Sequence, residues 1–384
     1  MRKICIVVTA RPSYARIKSV MKAIKNRKDV ELQLVVAASA LLERYGSAVK
    51  YMKADGFEPD KLVYMVLEGE NLVTAAKSTG LGIVELATVF DNLNPDVVIS
   101  VADRYETIAT AIAASYSNIP LAHVQGGEVT GSIDEKVRHA VTKLSDLHFT
   151  TNNDSKNRIL KMGEEPKKVF VTGCPSIDLA NNILKENSKS FNPFNLIQKG
   201  VGETFKINDG YIVVMQHPVT TFYDDSFKQI NHTLEAINDL KIPTFWFWPN
   251  VDAGSDMISK GIRIFREKND IPFIHFFKNL PPEDFLKLLA KSKCLVGNSS
   301  TGIRECAFLG VPVVNIGDRQ QGRLRGKNVI DVEYQSIDIK KAIDHQIKNG
   351  SYPCDNIYGD GDAGEKIAEI LSKVDLSVNK KITY

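Results

Sequence analysis

The 384-residue chain has few cysteines, no G-x-G-x-x-G dinucleotide motif and no marked excess of either charge. Its net charge is +3, from 49 basic and 46 acidic side chains, and the basic residues are scattered. A chain without a basic cluster is not expected to bind nucleic acid or a membrane surface, although a local pocket for an anion remains compatible with it. We therefore expect neither a nucleic-acid nor a membrane partner.

The cysteines are odd in number, widely spaced and mostly embedded in apolar runs; they are Cys5, Cys174, Cys294, Cys306 and Cys354. No C-x-x-C pair or Cys/His cluster has the spacing of a metal site, so we expect reduced thiols and no metal. No apolar run approaches about 20 residues, and the apolar part of "MRKICIVVTA" is too short for a signal peptide. These features predict a cytoplasmic protein.

Short apolar runs alternate with amphipathic stretches, in a chain long enough for two domains. Val/Ile-rich runs joined by helices are typical of parallel sheets covered on both faces. One helix is predicted over 13–26, "SYARIKSVMKAIKN". Two series of strands are predicted, at 3–10, 31–39, 95–102, 119–125 and 147–151, and then at 211–216, 244–250, 273–277, 294–298 and 312–316.

The polar, Asn- and Lys-rich stretch between the two series divides the chain. We predict an N-terminal Rossmann-like domain at 1–181 that carries the catalytic acids, a connector at 182–210, and a C-terminal Rossmann-like nucleotide-binding domain at 211–365. A tail at 366–384 completes the chain, with packing against the N-terminal domain as one arrangement. The predicted fold is α/β, with two Rossmann-like domains facing each other across a cleft. Ligands of such sheets bind beyond the carboxyl ends of the strands.

Two loops of the first series bear candidate side chains. In "TARPSY" (9–14), Pro12 ends the strand, Ser13 is placed to cap the next helix, and Arg11 serves either as a phosphate ligand or as a solvated loop residue. In "SVADRYET" (100–107), Asp103 follows a strand closely. It is either a helix cap, with Glu106 completing a capping box, or a catalytic carboxylate.

The third loop, "GGEVTGSIDE" (126–135), combines glycines with acids. Asp134 opens a helix and lies four residues before Arg138, so helix capping and an ion pair are one interpretation. An acid/base cluster that includes Glu128, Asp134 and Asp103 is the other. Gln125 stands just before this loop, where an acid would be needed for proton transfer.

Two loops of the second series complete the candidates. His217 ends the strand in "VMQHPVTT" (214–221) and is either structural or a ligand contact. "GNSSTGIRE" (297–305) leads from a strand into a helix, whose hydroxyls and N–H groups would suit a diphosphate. Glu305, expected in the same helix, is placed to accept from ribose hydroxyls, and Arg319 and Arg323 add positive charge.

Taken in order, these segments resemble the hydrolysing UDP-N-acetylglucosamine 2-epimerases of the sialic-acid and legionaminic-acid type. The resemblance spans nearly the whole chain and also includes "VTGCPSID" (171–178) and "PNVDAGS" (249–255). It implies a GT-B-type fold, a site in the cleft, no metal or other cofactor, and a homodimer or homotetramer. The implied reaction converts UDP-N-acetylglucosamine to N-acetylmannosamine and UDP, by elimination to a glycal and rehydration.

The resemblance also implies roles for individual residues. Asp103 and Asp134 fall on catalytic carboxylates, and His217 on a histidine near the phosphates. The implied nucleotide-binding set is Arg11, Ser299, Ser300, Glu305 and Arg323, while Asn250 and Asp252 match a segment that lines the nucleotide-sugar pocket.

The chain departs from the family in two places. Many relatives have a proton-transferring glutamate where this chain has Gln125, and the loop after Arg11 reads "PSYAR", where relatives commonly carry an acidic and a small hydroxyl residue. An amide transfers no proton near neutral pH. We therefore expect Gln125 to bind the sugar or orient a carboxylate, with Glu128 or Asp134 taking over the proton transfer.

Three alternatives remain open from the sequence. The first is the same reaction on a UDP- or GDP-linked 2,4-diacetamido-2,4,6-trideoxyhexose. The second is a non-hydrolysing epimerase, which the "GGEVTGSIDE" loop disfavours. The third is a nucleotide-sugar-binding protein or a GT-B glycosyltransferase.

Overall fold

The computed structural model describes residues 1–69, 71–101, 104–130, 134–186, 191–219, 225–249 and 254–383. Contacts divide the chain into two compact units. Unit 1 comprises residues 1–128, 133–179 and 358–384, and unit 2 comprises 129–132 and 180–357. Residues 182–210, expected as a connector, therefore belong to unit 2, and the chain re-enters unit 1 at Tyr358, before the expected end of the second domain at 365.

Unit 1 contains a seven-stranded, fully parallel sheet in the order β3-β2-β1-β4-β5-β6-β7. Its strands are β1 Arg2–Val8, β2 Val30–Ala37, β3 Lys61–Val63, β4 Val97–Val101, β5 Leu121–Val124, β6 Leu147–Thr150 and β7 Val169–Val171. The helices of the same part of the chain are α1 Arg11–Ala15, α2 Lys18–Lys25, α3 Ala48–Ala54, α4 Leu72–Leu93, α5 Thr107–Tyr116, α6 Asp134–Leu144, α7 Asn153–Lys161 and α8 Pro175–Lys185.

Unit 2 contains a second seven-stranded sheet in the order β14-β13-β12-β9-β10-β11-β8, in which only β8 is antiparallel. Its strands are β8 Gly200–Val201, β9 Ile212–Met215, β10 Thr244–Phe247, β11 Ile274–Phe277, β12 Cys294–Gly297, β13 Val313–Ile316 and β14 Val329–Val332. Its helices are α9 Ser226–Leu240, α10 Ser255–Lys268, α11 Pro282–Ala290, α12 Ser300–Ile303, α13 Glu305–Leu309 and α14 Ser336–Asn349. The last helix, α15 Ala363–Lys373, lies in unit 1.

Each sheet is buried on both faces because its central strands carry apolar side chains in both directions. In β1, Ile4, Ile6 and Val8 belong to one apolar cluster, whereas Cys5 and Val7 belong to the cluster on the opposite face. The side chains of β9 alternate in the same way between two apolar clusters of unit 2. All ten strands predicted from apolar runs are present, and all five cysteines are free thiols.

The helix predicted over 13–26 is wrong in its bounds. The chain forms two helices there, α1 from Arg11 and α2 from Lys18. Pro12 lies in the first turn of α1, where its missing N–H costs no hydrogen bond, so the helix begins before the proline. Ser13 is consequently inside the helix, and the N-cap is Ala10, without a side-chain cap.

The expectation that no apolar run could span a membrane is wrong for α4. Among the described residues, this one helix is long and apolar enough to do so. However, α4 joins β3 to β4, two parallel strands of one sheet, and packs on that sheet through Leu86, Val89 and Phe90. It is the crossover of a βαβ unit, and its outward face is largely exposed.

The C-terminal segment is fastened to unit 1 by polar contacts. The carboxylate of Asp178 accepts hydrogen bonds from the backbone N–H groups of Ala363 and Gly364, at 2.9 and 2.7 Å, where α15 begins. Farther along, Lys380 Nζ lies 2.6 Å from Glu164, and Thr383 N donates to the carbonyl of Gly163.

The carboxylate of Glu164 joins the C-terminal segment to the rest of unit 1. It is only 4% exposed and also accepts from Lys143 at 2.6 Å and from His148 at 3.1 Å. Burial alone would raise the pKa of Glu164, but the hydrogen bonds from His148, Lys143 and Lys380 lower it to about 2. The carboxylate is therefore held ionised inside a ring of positively charged or hydrogen-bond-donating groups.

Replacing this carboxylate should destabilise the protein. We expect Glu164→Gln to lower the free energy of unfolding by about 3 kcal/mol at pH 7, because Lys380 and Lys143 lose a buried partner. Since the pKa of Glu164 is depressed, its contribution is complete above the ordinary value of 4.5 and disappears as the pH falls to about 2. Urea unfolding of both proteins between pH 7 and pH 2 measures this, and the two curves should converge towards pH 2.

The matched control is Glu165→Gln. Glu165 pairs with Lys167, whose side chain is 76% exposed, and an exposed pair contributes little. Equal losses from the two variants, or a difference independent of pH, would contradict the role given to Glu164.

Candidate functional site

Each of the two sheets has one point at which the strand order reverses. In unit 1 the strand order reverses direction between β1 and β4, and in unit 2 between β9 and β12. Ligands of open α/β sheets bind at the carboxyl ends of the strands beside such a switch point. Arg11 follows β1, Arg104 follows β4, His217 follows β9 and Ser299 follows β12, so each switch point is flanked by polar side chains.

Two arginines flank the switch point of unit 1. Burial lowers the pKa of Arg11 to about 10, and the nearby charge of Arg104 acts in the same direction, so Arg11 remains charged at neutral pH. Arg104 is 9% exposed, and its Nε lies 2.8 Å from Glu106 Oε1. Two guanidinium groups near each other, beyond the carboxyl ends of β1 and β4, form a positively charged environment suited to an anion.

The interpretation of Glu106 as half of a capping box is wrong. Glu106 is itself the N-cap of α5, without a side-chain cap, and its carboxylate binds Arg104. Asp103, predicted as a catalytic carboxylate, lies outside the described residues, as do Asn250 and Asp252.

Gln125 occupies a strained position at the end of β5. Its φ is +70°, in the left-handed region that a residue with a side chain rarely adopts, and it is 2% exposed. Its backbone N donates to the carbonyl of Phe149 at 2.9 Å. Its Nε2 donates to Cys174 Sγ at 2.8 Å, and that sulfur also lies 3.0 Å from Ser176 Oγ. The amide is thus held by the "GCPSID" segment.

The two glycines after Gln125 bring Glu128 against the sheet. Gly127 has φ of +75°, and a Cβ there would lie 2.2 Å from the carbonyl oxygen of Ser155. Glu128 is 4% exposed, and its Oε1 accepts a hydrogen bond from Thr151 Oγ1 at 3.1 Å. Its carbonyl oxygen accepts from Nη1 of the fully buried Arg138 at 2.9 Å. A carboxylate fixed in this way just beyond the carboxyl end of a strand suits a proton-transfer role.

The helix that follows, α6, begins at Asp134, which is partly exposed. Arg138 forms an ion pair with Glu135, three residues before it, at 2.7 Å. His139 Nε2 also lies 2.9 Å from Glu135. Arg138 therefore joins the first turn of α6 to the backbone of Glu128.

His217 is fixed through its backbone. Its N–H donates to Asn298 Oδ1 at 2.7 Å, and Asn298 Nδ2 donates to its carbonyl at 2.8 Å. Gly297 makes this approach possible, because its φ is +134° and a Cβ would lie 2.1 Å from the carbonyl oxygen of Met215. The reciprocal pair of bonds joins the ends of β9 and β12 across the switch point.

The Gly-Asn-Ser-Ser loop caps a short helix. Ser299 is the N-cap of α12 and accepts from Thr301 N at 3.3 Å, and Ser300 Oγ accepts from Arg304 Nη2 at 2.8 Å. Glu305 does not lie in the same helix as expected. α12 ends at Ile303, and Glu305 begins the separate helix α13.

The loop after β13 closes around Asn298. Arg319 Nη1 and Gln320 Nε2 both donate to its carbonyl oxygen, at 3.2 and 2.9 Å. Arg323 is 7% exposed, and its Nε donates to the carbonyl of Val129 at 2.7 Å.

Three contributors were not predicted from the sequence: Arg104, Thr151 and Asn298. Arg138 was expected only as the ion-pair partner of Asp134, whereas the structure pairs it with Glu135. Arg104 and Asn298 stand in quoted strand-end motifs, so their position was a signal for them. Thr151 and Arg138 act through contacts that are distant in sequence or made to the backbone, and their residue types alone give no such signal.

Comparisons with known proteins agree on one family. A sequence model described as UDP-N-acetylglucosamine 2-epimerase matches residues 22–372. A UDP-N,N'-diacetylbacillosamine 2-epimerase (hydrolyzing) from Legionella pneumophila is 32% identical over 376 residues, 98% of this chain and 97% of the relative. A GDP/UDP-N,N'-diacetylbacillosamine 2-epimerase (hydrolyzing) from Campylobacter jejuni is 33% identical over 339 residues, 88% of this chain and 86% of the relative.

A solved structure shares the fold. The UDP-GlcNAc 2-epimerase from Neisseria meningitidis, bound to UDP-GlcNAc, has a TM-score of 0.79 and 19% identity, and the match covers 96% of this chain and 99% of that one. The predicted α/β fold class, with two Rossmann-like domains of GT-B type, is confirmed by this likeness and by the two sheets.

Proposed function

The chain belongs to the UDP-N-acetylglucosamine 2-epimerase family, and from this premise we propose that it is a hydrolysing 2-epimerase of a UDP-linked N-acetylated hexosamine. The observation that carries the proposal is the loop after β5, where Gly127, Thr151 and Arg138 fix the buried Glu128 at the sheet edge. Two relatives that match most of the chain are named as hydrolysing enzymes.

The chemistry explains why a fixed carboxylate is needed. The C2 proton of such a sugar is not next to a carbonyl group, so it is not acidified by enolate formation. Instead, a base removes it as the nucleoside diphosphate leaves C1, and a glycal forms. Water then adds at C1 while an acid delivers a proton to the opposite face of C2. The base and the acid must therefore stand on opposite sides of the ring.

We assign the proton transfers to the acids of unit 1. Glu128 and Asp134 follow β5, and Asp103 follows β4 in sequence. Gln125 cannot transfer a proton, since an amide is neither an acid nor a base near neutral pH. Its amide, held by Cys174, is proposed to hydrogen-bond the sugar or to orient a neighbouring carboxylate.

The departing diphosphate requires positive charge and hydrogen-bond donors. We propose that unit 2 binds the nucleotide near the ends of β9 and β12, and that Arg11 of unit 1 adds a positive charge. The proposed contacts of unit 2 are His217, Ser299, Ser300, Glu305 and Arg323, together with Asn250 and Asp252.

Two substrates are supported to different degrees. The relatives from Legionella and Campylobacter are named for N,N'-diacetylbacillosamine, a 2,4-diacetamido-2,4,6-trideoxy sugar, whereas the matching structure is bound to UDP-GlcNAc at lower identity. We therefore propose the UDP-linked diacetamido sugar, rather than UDP-N-acetylglucosamine, as the first substrate to test. We further propose a cytoplasmic homo-oligomer that needs no metal.

Isotopic labelling tests the reaction class. We expect each active UDP-sugar, incubated with the protein and EDTA in deuterated water, to give UDP and a free sugar with inverted C2 that carries deuterium. In ¹⁸O water the label should enter the sugar and not UDP, because the C1–O bond breaks. NMR and mass spectrometry read both labels.

The rival functions give different products in that experiment. A non-hydrolysing epimerase would yield an inverted sugar still attached to UDP. A glycosyltransferase or a binding protein would yield no deuterium at C2 in the absence of an acceptor. Either result would overturn the proposed reaction.

Substitution of the acids tests the assignment of roles. We expect Asp103→Asn, Glu128→Gln and Asp134→Asn each to lose about 10²–10⁴ in turnover, which is the usual contribution of a general acid or base. Gln125→Ala should lose only about 1–3 kcal/mol of transition-state stabilisation, corresponding to one buried hydrogen bond. Initial rates with saturating substrate measure both effects.

UDP affinity and melting temperature serve as controls for folding of these variants. The reassignment fails if Glu128→Gln and Asp134→Asn keep full activity while Gln125→Glu gains orders of magnitude. The wild-type chain would then be an impaired epimerase or a binding protein on the same fold.

The nucleotide site is tested by removing two hydroxyl groups. We expect the Ser299→Ala/Ser300→Ala double variant to raise the dissociation constant of UDP by about 10- to 100-fold, since two hydrogen bonds to a charged diphosphate are lost. Ser292→Ala is the matched control, because the Ser292 hydroxyl donates to Leu289 O at the end of α11. Calorimetry that finds equal UDP affinity in all three proteins would refute this site.

A further inference from the structure

The C-terminal segment beyond α15 contacts the C-terminal ends of α6 and α7. Lys380 Nζ donates to the carbonyl oxygen of Thr142, at 3.2 Å, and to that of Ser145. The backbone N–H of Thr383 donates to the carbonyl oxygen of Gly163, at 2.9 Å, two residues beyond the end of α7. The last carbonyl groups of a helix have no partner within the helix, and a lysine side chain is a favourable donor to them. The segment therefore holds the end of each helix.

The contact at the end of α7 involves both backbone and side chains. Gly163 has φ of +84°, and a Cβ there would lie 2.9 Å from Ile382 Cγ2 and 3.1 Å from the carbonyl oxygen of Thr383. The carbonyl of Glu164 accepts a hydrogen bond from Thr383 Oγ1 at 3.2 Å, and its carboxylate lies 2.6 Å from Lys380 Nζ. A side chain at Gly163 would strain the backbone and prevent this approach, so the segment packs closely beside α7.

The helix α6 also supports the turn that carries Glu128. Thr142 Oγ1 lies 3.2 Å from His123 Nδ1 in β5, and a Cβ at Gly126 would lie 3.1 Å from the same hydroxyl oxygen. One turn earlier in α6, Arg138 Nη1 donates to the carbonyl of Glu128 at 2.9 Å. Thr142, whose carbonyl the C-terminal segment binds, therefore joins that segment to the turn.

The helix α7 supports the same turn from another direction. Arg158 Nη1 donates to the carbonyl of Gly127 at 2.9 Å, and a Cβ at Gly127 would lie 2.2 Å from the carbonyl oxygen of Ser155. The turn therefore packs directly on the backbone of α7, and a shift of this helix would move it. Both helices that contact the turn are held at their C-terminal ends by one short segment of chain.

A second lysine makes a parallel connection between the helices. Lys143, near the end of α6, donates to the carbonyl of Met162 at 3.0 Å and lies 2.6 Å from Glu164. Loss of Lys380 alone should therefore loosen the two helices without separating them. We expect a partial loss of positioning and not unfolding of this part of unit 1.

We propose that Lys380 is a positioning residue for the epimerase reaction. By tying the C-terminal ends of α6 and α7 to each other, it keeps the turn that both helices contact in place, and with it the carboxylate of Glu128. Rates depend steeply on the position of a reacting group, and a misplacement of about 1 Å can cost about 10²-fold. The inference rests on the proposed function, in which Glu128 transfers a proton, but the support given to the turn can be measured without substrate.

Kinetics of a Lys380 variant test this role. We expect Lys380→Met to lower kcat about tenfold, while KM and the dissociation constant of UDP stay within about twofold of the wild-type values. The reason is that the proposed nucleotide contacts lie mainly in unit 2, whereas Lys380 acts on the turn of unit 1. Initial rates over a range of substrate concentrations give kcat and KM, and calorimetry gives the affinity for UDP.

Two control variants separate positioning from stability. Arg2 Nη1 donates to the carbonyls of Leu371 and Val374, so it also fastens the C-terminal segment, but at the start of β1. Arg2→Met should lower the melting temperature, as Lys380→Met does, and leave kcat unchanged. Lys381→Met, at the exposed neighbouring residue, should change neither quantity.

Two further measurements show whether Lys380 acts through Glu128. In the Glu128→Gln background, Lys380→Met should lower kcat by less than about twofold, because the carboxylate that it positions has been removed. Without substrate, amide hydrogen exchange in peptides that cover residues 122–130 should be about tenfold faster in Lys380→Met and unchanged in both control variants.

Unchanged exchange at residues 122–130 would overturn the proposal, whatever the effect on kcat. An unchanged kcat in an active Lys380→Met protein, an equal loss in Arg2→Met, or full additivity with Glu128→Gln would also overturn it. If the wild-type protein turned over no nucleotide sugar, the proposed function would fail, and the exchange measurement alone would decide whether Lys380 holds the turn.

Discussion

Parallel strand pairing is the constraint on which the rest of the molecule depends. Every pair in the first sheet is parallel, and in the second sheet only β8 runs the other way. Parallel strands require long crossovers and covered faces. Because they all point the same way, their carboxyl ends lie along one edge of the sheet. The polar groups that cannot enter the apolar layers collect at that edge of each sheet. This is why Arg11 and Glu128 follow strands of unit 1, and His217 and Ser299 follow strands of unit 2.

The elements that the sequence predicted are those in which burial on both faces leaves a clear pattern. β1 and β9 are continuous Val/Ile runs, and both were predicted. β3, β7, β8 and β14 were not predicted, and they are short strands near the edges of the sheets with exposed or partly exposed residues. Their pairing depends on the neighbouring strand rather than on their own composition, so a local pattern cannot reveal them.

The candidate site shows the same division. Residue type and position after a strand led to Arg11, Glu128, His217 and Ser299. The contacts that hold these residues were not predictable, because they are hydrogen bonds between segments that are distant in sequence. Asn298 binds both backbone groups of His217 over 81 positions of sequence, and Cys174 accepts from Gln125 over 49. Such contacts exist only once the sheet has brought the strand ends together.

The strain at Gln125 follows from these contacts. A side chain in the left-handed region costs about 1–3 kcal/mol, and it persists because the surrounding bonds leave no relaxed alternative. The Phe149 carbonyl fixes its N–H, and the Cys174 sulfur fixes its amide. The backbone then turns through Gly126 and Gly127, which allows Glu128 to reach Thr151.

The inner face of α4 packs against unit 1, and its outer face is exposed. Through Gly82 the helix lies against Met65 and against Ala109, the third residue of α5. α5 begins directly after the Arg104–Glu106 ion pair, so the inner face of α4 packs against the helix that has this ion pair at its start. The two glycines differ by two positions and therefore point to different faces of the helix, Gly82 inward and Gly80 outward. Of the two, Gly82 alone meets a packing requirement inside the described part of the chain, because a Cβ there would lie 2.5 Å from the methyl carbon of Met65.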